Sequence, residues 1–170
     1  DLTGTIMAKV NLTKAILEQA EFNGARLEGA SLTWAKGRYI DFSGSALVGA
    51  DLSHAEIPLA RFENAISEDV DFSNAVLDRA EFNHARCKGT KFNNTSLRFS
   101  DFSHADVTGA DFSGANLQQS KLHRSIGTHL NLDTAFTLNS EYTDKELAQA
   151  EDYIPPGPGW SPENWLKTIL

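Results

Sequence analysis

The sequence predicts an all-β solenoid followed by a short helical segment. Three observations carry that expectation. Small, polar and large apolar residues recur every five positions. The pattern holds one phase from residue 1 to about residue 140. Residues twenty apart share their character, as stacked layers require.

The stretch Asp101–Leu117, DFSHADVTGADFSGANL, shows the unit: Ala105-Asp106-Val107, Ala110-Asp111-Phe112, Ala115-Asn116-Leu117. A period of five fits neither the 3.6 of a helix nor the 2.0 of a strand. With the register set on the large residue, positions 2, 7, 12 and so on to 137 give 28 slots, of which 24 hold a large apolar residue or Cys. Gly37, Ser67, Gly127 and Thr137 are the exceptions. Positions 5, 10, 15 and so on to 140 hold Ala, Ser or Thr in 24 of 28 cases. A five-residue unit with two inward positions must turn a corner with the other three. Stacking the coils lets backbone pair with backbone, which satisfies the polar groups of an otherwise loop-like chain.

If a coil has 20 residues, the large slots sort into four columns. Leu2, Phe22, Phe42, Phe62, Phe82, Phe102 and Leu122 form one. Leu12, Leu32, Leu52, Phe72, Phe92, Phe112 and Leu132 form the opposite one. Among these slots Phe occurs only in those two columns. The expected core ladder is therefore Phe22, Phe42, Phe62, Phe82 and Phe102 facing Phe72, Phe92 and Phe112. Each buried Leu or Phe is worth very roughly 1.5–3 kcal/mol.

The repeat resembles the pentapeptide-repeat family, consensus A(D/N)LXX, over roughly residues 1–140. The resemblance implies a right-handed quadrilateral β-helix in which four pentapeptides make one square coil. The expected domain, 1–140, is then about seven coils, on the order of 30 Å tall at ~4.8 Å per coil.

Residues 141–170 are expected to form a C-terminal two-helix cap or docking segment. Thr143-Asp144-Lys145-Glu146 is a capping box opening a helix to about Tyr153. PPGPG at 155–159 breaks it, and Ser161-Pro162-Glu163 opens a second helix whose apolar stripe is Trp165, Leu166, Ile169 and Leu170. The segment covers the last coil, joins two chains or leads into another domain, and the expected state is a monomer or a dimer through these helices.

Composition narrows the function. The net charge is -8, which argues against direct nucleic-acid binding through basic contacts. No apolar run approaches the ~20 residues of a membrane-spanning helix. The single Cys87 excludes an internal disulfide. Residue 1 is Asp, which points to a fragment or a processed chain. The compartment stays open between bacterial cytoplasm and, after removal of a signal, periplasm or thylakoid lumen. No phosphate-binding loop, zinc spacing, nucleophile elbow or dinucleotide fingerprint occurs, and a rod with a filled core offers no cleft. The expectation is no catalytic residues, no cofactor and no metal. His84 and His104, one coil apart, are expected to stack, but a metal site wants three or four ligands and Arg124 comes next in that column.

Exposed apolar residues give the candidate site. Tyr39, Leu59 and Phe99 share one outward column with Gln19, Arg79 and Gln119; Trp34 lies on the preceding side. Gly37 interrupts the core inside KGRYI at 36–40. The candidate partner-binding patch is Trp34, Arg38, Tyr39, Leu59 and Phe99, residue types that anchor interfaces. The alternative is that Tyr39 or Trp34 folds over the gap left by Gly37, or meets an N-terminal cap missing from this fragment.

These readings point to a non-catalytic structural or interaction scaffold, partner unidentified, whose regular phase is most similar to cyanobacterial and thylakoid-lumenal members. The family resemblance implies two alternatives. Some members resemble duplex DNA in shape and charge and bind DNA gyrase; here Arg61, Lys91 and Lys121 interrupt the acidic columns. The other is the β-helix targeting domain of a larger bacterial effector.

Overall fold

The structure is a computed structural model, and residues 1–141 are described. They form a β-solenoid. Parallel bridges join each outward residue to the residue twenty further on, from Ile6 with Arg26 to Lys121 with Glu141. The four walls of a coil are numbered in chain order. The first wall buries the Phe22 to Phe102 column and the third buries the Phe72 to Phe112 column.

The hydrogen bonding explains how a chain with one bridged residue per side stays satisfied. Along the first wall, the Phe42 N–H donates to the Arg61 carbonyl (2.7 Å) and the Arg61 N–H donates to the Ile40 carbonyl (2.9 Å). Most corners are closed by a local bond as well, as where the Ala25 N–H donates to the Phe22 carbonyl (2.9 Å). Every fourth position of the five, from Gly4 to Asn139, has a positive φ. A positive φ at only the second central residue, with that bond, is a type II turn. Gly, Asn, Asp and His tolerate this conformation best, and they fill most corners, including His54, His84, His104 and His129.

The polar residue before the large slot has a structural task. The Asp41 Oδ1 accepts the Ser43 N–H, and Asp51, Asp71, Asp101, Asp106 and Asp111 do the same for the residue two further on. That turn N–H has no backbone acceptor in the coil, so a short side chain supplies one.

Aromatic rings fill the interior. Phe62, Phe82 and Phe102 stack at 4.6 and 4.7 Å, Phe72, Phe92 and Phe112 at 5.3 and 4.8 Å. The two stacks meet edge to face across the core, as in Phe82 against Phe92 at 5.6 Å. Three breaks in the repeat are each compensated within their own unit. Where Gly37, Ser67 and Gly127 replace a large residue, Ile40, Val70 and Leu130 replace the small one three positions later. Ile40 and Val70 are fully buried, and Leu130 Cδ1 lies 2.9 Å from where a Cβ of Gly127 would be. Volume is conserved within the unit.

Residues 142–170, and with them the expected helical cap, lie outside the described residues.

Candidate functional site

Four large apolar residues occupy corners where the turn favours Gly or Asn. Trp34, Tyr39, Leu59 and Phe99 have φ of 61°, 57°, 62° and 60°. For a bulky side chain this conformation costs on the order of 1 kcal/mol or more. None is fully buried in return: Tyr39 is 55% exposed, Trp34 48% and Phe99 46%, and Leu59 is half-buried. Neither Tyr39 nor Trp34 fills the gap at Gly37. The backbone of Leu17 takes that space, 2.7 Å from where a Cβ at 37 would stand.

The structure groups these residues in three places. Trp34 stacks on His54 at 4.3 Å with the rings nearly parallel, on the corner between the third and fourth walls. Arg38 lies over the Tyr39 ring at 5.7 Å on the corner between the fourth and first walls. Further along that corner, Leu59 and Phe99 flank Arg79, whose guanidinium lies 5.1 Å from the Phe99 ring centre. Trp34 therefore stands across the fourth wall from the other four. His54 is the partner that the sequence reading passed over, and a twenty-residue offset from Trp34 would have found it; Arg79 stands one coil from Phe99 in the outward column where the register places it.

Leu59, Arg79 and Phe99 form one edge of a shallow groove of about 720 Å³ on the first wall. Glu81, Asp101 and Lys121 make its floor, and Glu63, Asn83 and His84 its other edge. Just before it, Arg61 sits among three carboxylates: Asp41 at 3.2 Å, Glu63 at 3.5 Å and Glu81 at 3.5 Å. Partial burial pushes the Asp41 carboxyl up, but hydrogen bonds from Ser43 and Asn23 and the charge of Arg61 hold it below the ordinary range. On the fourth wall Asp78 behaves likewise: burial raises it, and Arg98 and Ser96 more than offset this.

His84 and His104 stack at 4.7 Å, and His104 meets His123 edge to face at 5.6 Å. Among the described residues no group of three His, Cys, Asp or Glu is arranged to hold a metal ion. Cys87 is fully buried, which pushes its thiol pKa far up and leaves it unreactive. No helix among the described residues is long and apolar enough to cross a membrane.

The family model for pentapeptide repeats matches eight copies over residues 1–33, 59–94 and 80–119. The chain belongs to the pentapeptide-repeat family. Solved structures of pentapeptide-repeat proteins are similar to it. HetL, involved in heterocyst differentiation regulation in the cyanobacterium Nostoc, is 25% identical over 82% of this chain and 68% of its own, with a TM-score of 0.41. A pentapeptide-repeat protein of the Arabidopsis thaliana thylakoid lumen is 25% identical over 69% of this chain and 71% of its own, TM-score 0.31. QnrB1, a plasmid-mediated fluoroquinolone resistance protein, is 17% identical over 99% of this chain and 96% of its own, TM-score 0.48. No curated protein sequence matches the chain.

Proposed function

We propose that this pentapeptide-repeat chain is a non-catalytic interaction scaffold that engages a protein partner through the corner between its fourth and first walls. About seven coils, 1–140, would present that surface, and residues 141–170 would cap the rod or pair two chains. One observation carries the reading. Tyr39, Leu59 and Phe99 are held, partly exposed, in a backbone conformation whose cost is offset only in part by burial and by the contacts of Arg38 and Arg79. Strain of that kind points to a surface used elsewhere, and aromatic residues with neighbouring Arg are common interface anchors.

The test is the double variant Tyr39→Asn/Phe99→Asn. Asn already occupies equivalent corners at Asn64, Asn74 and Asn94. The variant is expected to keep or slightly raise the melting temperature while losing proteins that immobilised wild type retains from native-cell extract. Retention of the same proteins by both chains would overturn the reading.

The DNA-mimic alternative has one observation in its favour. Glu21, Asp41, Glu81 and Asp101 recur along the first wall at the coil spacing. Arg61 and Lys121 break that column, and Asp41 and Asp101 already serve the turns. Protection of purified gyrase from a fluoroquinolone by the intact chain would favour the mimic.

A further inference from the structure

We propose that the groove on the first wall docks an extended, arginine- or lysine-bearing segment of a protein partner. The inference rests on the scaffold reading and adds the partner's chemistry.

Charge sets the class of occupant. With its two bordering corners, the first wall carries seven carboxylates against four cations, Arg61, Arg79, Lys121 and Arg124, among the described residues. Counted in the same way, each with both bordering corners, the second wall carries four against five, the third five against three, and the fourth three against five. The largest excess of negative charge therefore lies on the wall that has the groove. The third wall is also acidic, but it borders no corner of Tyr39, Leu59 and Phe99.

The chain's own arginines show how a cation is received there. Arg61 is gripped by Asp41, Glu63 and Glu81, which is carboxylate recognition of a guanidinium. Arg79 lies over Phe99, which is recognition by an aromatic face. Asp101 is one coil beyond Glu81, with Phe99 at the groove's edge. A partner cation over Asp101 would meet both modes together, with Leu59 offering an apolar contact beside them.

Shape sets the form. The groove runs along the stacking axis from the level of Leu59 to that of Lys121. Three coil steps span about 14 Å, which an extended chain covers in about four residues. A short segment fits this surface without exposing sheet edges.

The probe is a fluorescein-labelled alternating arginine–alanine decapeptide, compared with its glutamine–alanine counterpart by fluorescence anisotropy on the intact chain. The arginine peptide is expected to bind more tightly. Glu81→Gln/Asp101→Asn should weaken it about tenfold, in line with loss of two charge-assisted contacts. Asp51→Asn/Asp111→Asn on the third wall removes the same charge and, like Asp101→Asn, keeps an acceptor for the turn N–H; it should change affinity less than about twofold. Lys121→Gln should strengthen binding. Circular dichroism confirms that each variant is folded. Equal losses from both acidic pairs would reduce the effect to general acidity and overturn the proposal, as would equal binding of the two peptides. If the arginine peptide fails while the Tyr39/Phe99 variant still loses a retained protein, the groove proposal falls and the scaffold reading stands. If the peptide binds as expected while wild type and that variant retain the same proteins, the groove stands and the corner reading falls.

Discussion

At the residue scale, three of the four breaks in the repeat, Gly37, Ser67 and Gly127, have a local counterweight. Gly37 has no room for a Cβ, because Leu17 carbon and oxygen lie 2.7 and 2.8 Å from its site. Gly37→Ala is expected to cost about 1–3 kcal/mol, the range for overpacking. Gly37→Leu alone should cost more, and adding Ile40→Ala should recover part of the loss by restoring the regular unit. Chemical denaturation of the three variants checks the order. Ser67 tests the opposite case. Its hydroxyl is buried without a hydrogen-bond partner. Ser67→Ala is expected to raise stability by about 1 kcal/mol, because an unsatisfied polar group is removed.

At the scale of the element, a corner and a core layer divide the work. The corner relies on residues that accept a positive φ and on an Asp or Asn that takes the turn N–H. The layer relies on rings that stack along the rod and meet edge to face across it. Phe82 contacts Phe62, Phe102, Phe72 and Phe92, whereas Phe22 stacks only on Phe42. Phe82→Ala is expected to cost about 3–5 kcal/mol and Phe22→Ala less, since the latter leaves fewer rings without a neighbour. Urea melts of the two variants would reverse this account if Phe22→Ala proved the more damaging.

At the scale of the molecule, stability is a sum over neighbouring coils. Deleting the twenty residues 81–100 keeps every column aligned, so the shortened chain should fold with a modestly lower melting temperature. Deleting only 81–85 keeps the five-residue phase but turns all later columns by one wall. It sets Phe residues against Cys, Ser and Leu, and should lower the melting temperature far more. The rod also has a pH limit. Asp41, Asp71, Asp78 and Asp111 are partly buried, which raises their carboxyls, yet hydrogen bonds, joined by a nearby cation at Asp41, Asp71 and Asp78, hold all four below the ordinary range. Their stabilisation is complete above the unfolded value of about 3.9 and is lost as pH falls through the lower folded values. The melting temperature is therefore expected to hold from neutral pH to about pH 5 and to drop below about pH 4.

Sequence alone determined the architecture, because the five-residue phase leaves one way to bury large and small residues together, and the twenty-residue columns place each Phe. It also indicated the exposed column of Tyr39, Leu59 and Phe99, since outward positions follow from the same register. The tertiary structure decided what one period cannot express. The backbone sign at each corner made His a turn residue and the bulky corners strained. The Asp before the large slot became a cap for a turn N–H as well as a surface charge. Trp34 was separated from the other patch residues by the width of a wall, and Arg79 and His54 were brought against rings. Those relations depend on which side chains lie one coil apart at the surface, where the repeat constrains spacing but leaves residue type free.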